Sequence, residues 1–259
     1  MSNTRLVETP VAELEVRLDG EGPAVVLLPS LGRDSYEFDP IASDLAAAGF
    51  TALRPQPQGI GSSRGPTTGL DLHDLAGDVA AVIEHFDAAP AVVAGHAFGH
   101  YVARVLAADR PELVRGVAVL AAGARRFPAS LTERVAKCSD LSLPDHERLV
   151  HLRDVFFAAG HDPAVWLDGW WPDAIVSQRA AMAATDKESW WTVAPSPLLD
   201  VQAGEDVFRP AETRGELVDE FGSELVSTAV VPACGHALVP EAPHEVARIL
   251  VEWIRTRLG

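Results

Sequence analysis

The run AVVAGHAFGHYVARVLAADRP, residues 91–111, opens on an apolar stretch typical of a strand covered on both faces. It passes through Gly95-His96-Ala97-Phe98-Gly99 and continues with helical spacing to Arg110-Pro111. A strand that hands over directly to a helix needs a tight turn. The residues two before and two after its apex must be small, because side chains there would strike the neighbouring strand and helix. Gly95 and Gly99 meet that requirement, and Ala97 stands at the apex.

The same alternation extends outward from this run. Residues 11–18 (VAELEVRL) alternate apolar and polar, which predicts a half-exposed edge or hairpin strand opening the sheet. Residues 24–29 (AVVLLP) form an apolar run stopped by Pro29, and residues 51–54, 116–121 and 198–202 repeat that character. Amphipathic helices are predicted over 38–48, 71–86, 99–109 and 243–258, the second starting on Asp71 as a cap. Strands separated by helix-length intervals predict an α/β fold with a mostly parallel central sheet and right-handed crossovers.

From about residue 127 to 191 the strand signals stop, and 132–137, 145–159, 161–168 and 172–184 all read as helix. This predicts a helical cap subdomain, 127–191, inserted into a core formed by 1–126 and 192–259. Of the six tryptophans, Trp166, Trp170, Trp171, Trp190 and Trp191 belong to this insertion. They either pack the cap core or line an apolar ligand pocket; Trp166, Trp170 and Trp190 are the candidates for the pocket.

Composition narrows the function classes. With Asp plus Glu at 37 against Lys plus Arg at 21, the formal net charge is −16, so most of the surface repels a polyanion and nucleic acid is not an expected partner. Cys138 and Cys234 lack the spacing of a disulfide framework or thiolate metal site. The first residues, MSNTRLVETP, contain no apolar core of a signal peptide, and no apolar run is long enough to span a membrane. A cytoplasmic protein without membrane association is expected; edge strands and cap surfaces leave a homodimer open.

The Gly95–Gly99 turn resembles the GHSxG nucleophile elbow of the α/β-hydrolase fold superfamily, with Ala97 where serine normally stands. The resemblance extends over nearly the whole chain. LLPSLGR (27–33) is similar to the family's oxyanion segment, with Pro29 and Ser30 in the His-Gly places. This implies that Leu31 and Phe98 supply the oxyanion N–H groups. PQPQGIGSS (55–63) resembles a structural D-x-R-G-x-G-x-S turn, with Gln56 and Gln58 replacing its acidic and arginine residues. In LLDVQAGEDVFRP, Asp206 stands four residues before Pro210 at the family's acid position. In VVPACGHALVPEAP, His236 follows Gly235 where the family keeps its catalytic histidine.

A methyl group has neither a proton to lose nor a lone pair, so Ala97 rules out an acyl-enzyme at the elbow. Cys234 reads as a small buried residue rather than a substitute nucleophile. His96 reads as structural, while Ser30 and His100 are substrate-binding candidates. Three readings stay open. Alanine is native and the His236–Asp206 dyad acts as a general base in a hydrolase, lyase or isomerase. Alternatively, the chain is a serine esterase or lactonase carrying an engineered Ser-to-Ala change, or it is a non-catalytic binding protein. The acidic surface, the tryptophan-rich cap and the lack of a phosphate-binding Gly-Lys motif point to a neutral or cationic, largely apolar small molecule as ligand, and no metal or cofactor is implied.

Overall fold

The computed structural model describes residues 3–126, 129–191 and 196–259. Its strands are β1 (Asn3–Glu8), β2 (Glu13–Asp19), β3 (Ala24–Leu28), β4 (Thr51–Pro55), β5 (Ala91–His96), β6 (Val114–Leu120), β7 (Leu198–Ala203) and β8 (Val226–Val231). They form one sheet in the order β1-β2-β4-β3-β5-β6-β7-β8. The β1–β2 and β2–β4 pairs are antiparallel, and all the others are parallel.

The expected α/β-hydrolase fold is therefore the observed one, with two strands, β1 and β8, beyond the ranges read from the sequence. Of β1 only Val7 is buried, so the strand has no apolar alternation by which to recognise it. The interior strands β3, β5 and β7 are buried at every position, as their unbroken apolar runs require.

The helices are α1 (Asp39–Ala47), α2 (Leu72–His85), α3 (Gly99–Asp109), α4 (Ala129–Cys138), α5 (Asp145–Val155), α6 (Pro172–Ala184), α7 (Lys187–Trp191), α8 (Glu216–Phe221), α9 (Leu238–Glu241) and α10 (Pro243–Trp253). Asp71 caps α2 through a reciprocal capping box with Asp74. One face of the sheet packs α2 and α3 around Val93, Val117 and Leu198; the other packs α1 and α10 around Val92, Leu120 and Val201. No helix among the described residues is long and apolar enough to cross a membrane.

Helices α4 to α7 all lie between β6 and β7, within the span expected to be an insertion; residues 127, 128 and 192–195, at its two ends, lie outside the described residues. Two helical expectations there are corrected. α5 stops at Val155 rather than continuing to 159, and 161–168 holds only a 3₁₀ turn, Pro163–Trp166. Gly160 and Gly169, at φ +94° and +77°, break the chain on either side, and a left-handed residue cannot continue a right-handed helix.

The topology prepares the site. β3 and β5 are hydrogen-bonded neighbours although a whole βα unit separates them in sequence, and Leu28 lies opposite Gly95 in their register. Ligands of open parallel sheets sit where the strand order switches in this way, beyond the carboxyl ends of the strands. The loops after β3, β5, β7 and β8 all leave from that edge.

Candidate active site

At the end of β5 the chain turns through Ala97, whose φ is +44°. This left-handed conformation is costly for any residue with a Cβ and is held here by its surroundings. The Ala97 N–H donates to the Leu120 carbonyl at 2.9 Å, and its own carbonyl accepts the His100 N–H at 3.1 Å. A Cβ on Gly95 would lie 2.3 Å from the Gly99 backbone, and one on Gly99 would lie 2.3 Å from the Leu28 carbonyl oxygen. The glycines are thus demanded by helix α3 seating directly on β5 and β3.

Ser30, Leu31, Ala97, Phe98, His100, Trp170 and His236 line one cavity of about 120 Å³. The loops after β3, β5 and β8 and the helical segment all contribute to it. Asp206, buried behind His236, accepts a hydrogen bond from its Nδ1 at 2.8 Å and another from the Phe208 N–H at 2.8 Å. That leaves His236 Nε2 for the cavity. The backbone N–H groups of Leu31 and Phe98 find no acceptor among the described residues, whereas the intervening Gly32 N–H is taken by Gln178 at 2.7 Å.

One candidate position differs from expectation and another lies outside the described residues. Trp166 does not line the cavity. It is 1% exposed, packed edge-on against Phe156 and Trp170, and covered by the Arg33 guanidinium, so it belongs to the core of the helical segment. The Trp190 side chain lies outside the described residues. Of the candidate tryptophans with described side chains, Trp170 is the one on the cavity wall, its Nε1–H donating to the Trp166 carbonyl at 2.5 Å.

Several residues around the site have no local sequence signal. The buried Glu37 carboxylate bonds His96 Nδ1 at 3.1 Å and accepts the Ser30 N–H at 3.2 Å. His96 Nε2–H in turn donates to the His236 carbonyl at 2.9 Å. Glu37 and His96 therefore join the loops after β3, β5 and β8. Phe156 and Phe208 bracket the His236 ring at centroid distances of 5.8 and 4.3 Å. Arg179, from α6, also reaches the cavity. Burial, reinforced by Arg104, Arg209 and His236, pushes the His100 imidazole well below its ordinary pKa, so this ring is neutral in the cavity. Burial likewise raises the neighbouring Tyr101 phenol to about 12.

Cys234 is not among the cavity residues, and burial, with Glu241 and Glu205 adding, holds its thiol up at about 11. It is a poor nucleophile, since reactivity follows the thiolate. The fold also brings together a donor group that sequence spacing hides: ligand atoms of His161, Cys234 and Glu241 all lie within 4.8 Å of one another. Its atoms already serve the His236 loop. His161 Nε2–H donates to the Ala233 carbonyl at 3.0 Å, and Glu241 accepts the N–H groups of Ala158 and Gly235.

Solved structures share this architecture. The enol-lactonase from Burkholderia xenovorans superposes with a TM-score of 0.78 at 22% identity, over 97% of this chain and all of that one. The esterase from Exiguobacterium antarcticum gives 0.81 at 19% identity, over 98% of this chain and all of that one. Among characterised sequences, the chain is 31% identical to 2-(acetamidomethylene)succinate hydrolase of Mesorhizobium japonicum over 117 residues, 45% of this chain, and 34% identical to a soluble epoxide hydrolase of Corynebacterium over 101 residues, 39% of this chain. The aligned stretches span only 42% and 35% of those two relatives. The profile of the serine aminopeptidase S33 family matches nearly the whole chain, residues 22–243, and the chain belongs to that family of α/β-hydrolases.

Proposed function

We propose that this protein is a hydrolase-type enzyme in which the His236–Asp206 dyad acts as general base on a small, largely apolar molecule, without a covalent serine step. The observation that carries this reading is the 2.8 Å bond from His236 Nδ1 to Asp206 at the wall of a cavity whose elbow apex is a methyl group. On this reading Asp206 fixes the tautomer that presents Nε2 as a base. His236 takes a proton from water, and the resulting hydroxide adds to an ester or lactone carbonyl. The N–H groups of Leu31 and Phe98 receive the oxyanion, and the imidazolium returns its proton to the departing alkoxide. Asp206 stabilises the imidazolium while it lasts. Helices α4 to α7 serve as a cap that closes the cavity.

The expected rate is modest. General-base catalysis contributes roughly 10²–10⁴-fold and one oxyanion donor roughly 10²–10³-fold, with no share from nucleophilic catalysis. The test is a panel of small esters, enol lactones and epoxides. Slow steady turnover is expected without a burst or fluorophosphonate labelling, and His236→Ala should reduce it by roughly 10²–10⁴-fold. Undiminished turnover in His236→Ala, with the fold intact, would place the chemistry elsewhere. A burst would refute the non-covalent route. The intact elbow geometry, with φ +44° at position 97, favours a second reading in which the chain is a serine esterase or lactonase whose apex serine was exchanged for alanine. Ala97→Ser would then gain both a burst and probe labelling.

A further inference from the structure

We propose that Arg179 forms a carboxylate-binding subsite, so that the molecule taken by this cavity combines a small apolar body with an anionic group. This rests on the cavity being the substrate site.

The lining is otherwise apolar or uncharged. Phe98, Phe156, Phe208, Trp170 and Met182 supply its walls, and His100 is held neutral by burial. Arg179 is the one permanent charge among the described lining residues. It is half-buried and has no ion pair or hydrogen bond with any described residue. Arg33, Arg148 and Arg125, by contrast, are already engaged. Arg33 bonds the Asp168 carbonyl and faces Glu37, Arg148 bonds the Cys138 and Leu167 carbonyls, and Arg125 pairs with Glu188 and Glu220. In a chain where carboxylates outnumber cations 37 to 21, leaving this guanidinium free in an apolar cavity costs a partner that the surface offers in excess.

A carboxylate ligand resolves that mismatch, because guanidinium and carboxylate match as a two-pronged, charge-assisted pair that strengthens away from water. The cavity's own acid does not compete: Asp206 is turned away, one oxygen on His236 and the other on the Phe208 amide. The volume of about 120 Å³ limits the apolar body to something near a single ring, since an engineered cavity of roughly 150 Å³ accommodates benzene.

Benzoate and its uncharged counterpart benzamide are suitable probes, with binding followed by calorimetry or protein NMR on the native chain. Benzoate should bind about tenfold or more tightly than benzamide, the discrimination expected of a hydrogen bond to a charged group. Arg179→Met should erase the preference, Arg179→Lys should retain part of it, and Arg179→Glu should reverse it towards benzamidine. Retained circular dichroism and melting temperature would show that the variants fold. Equal binding of benzoate and benzamide by the native protein, no benzoate binding, or a preference unchanged in Arg179→Met overturns the proposal. Because binding is read at equilibrium, the experiment works equally in His236→Ala, and a failed dyad leaves the subsite result standing.

Discussion

At the residue scale, the elbow is decided by contacts too short to accommodate a methyl group. With a Cβ at position 99 only 2.3 Å from a backbone oxygen, and nothing flexible to move aside, Gly99→Ala must push α3 off β3. Overpacking of a well-filled interior costs about 3 kcal/mol at the upper end of its usual range. Urea denaturation should show a loss of that order or an unfolded protein; a loss below about 1 kcal/mol would mean that the helix can slide. His100, one residue further on, carries a pH signature. Its folded-state pKa is depressed by burial, so below about pH 6.5 the unfolded chain takes up a proton that the folded chain refuses. This contribution to stability is complete above that pH and is lost as pH falls, with a limiting slope of about 1.4 kcal/mol per unit. Between about pH 7.5 and about pH 5.5 the native protein should therefore lose about 1 kcal/mol more than His100→Gln. Parallel pH profiles would show that His100 protonates in place.

At the element scale, the helical segment is fastened to the loop after β3 by a few strong contacts. The Trp171 N–H donates to the Gly32 carbonyl at 3.0 Å, Gln178 takes the Gly32 N–H, and Arg33 reaches across to the Asp168 carbonyl at 2.6 Å while stacking on Trp166 and Trp170. Arg33→Ala removes the stacking and leaves the buried Glu37 carboxylate without its cation, which costs about 3–5 kcal/mol in comparable buried pairs. Amide exchange in α6 should quicken beyond the change seen in β5; equal changes in both would show that the fastening is not local. These contacts also mark the limit of what sequence conveys. The Gly95–Gly99 pair and the apolar runs of β3 and β5 were readable because their constraints are local. Glu37, 59 residues from the His96 that it bonds, was not, because only the folded sheet makes them neighbours. Trp166 and Trp170 looked equivalent in sequence. The 3₁₀ turn ending at Trp166 and the left-handed Gly169 between them decide which one faces the cavity.

For the whole molecule, the loop positions of Ala97, Asp206 and His236 were legible in the sequence, and the shared sheet edge brings those loops together, with His236 bonded to Asp206 and lining one cavity with Ala97. Arg179 shows the opposite case, since no motif marks an arginine whose distinction is having no partner among the described residues. The net charge of −16 acts at the same scale. Like charges distributed over one compact body repel one another more than they do in the expanded chain, so the surplus of carboxylates works against folding. Exposed pairs oppose this only weakly. Arg110 with Glu112, Arg125 with Glu188 and Arg248 with Glu252 lie at the surface, where such a pair contributes about 0–1 kcal/mol. Added salt screens both effects, but it removes a summed repulsion on one side and a few small attractions on the other. The buried Arg209–Asp200 pair, each side chain 1% exposed, is shielded from the change. The melting temperature should therefore rise between about 0.02 and about 0.3 M sodium chloride, as the screening length contracts from well over 10 Å to about 6 Å. A fall over that range would show that the surface pairs outweigh the net charge, and replacing Arg110 and Arg248 with glutamine should then abolish it.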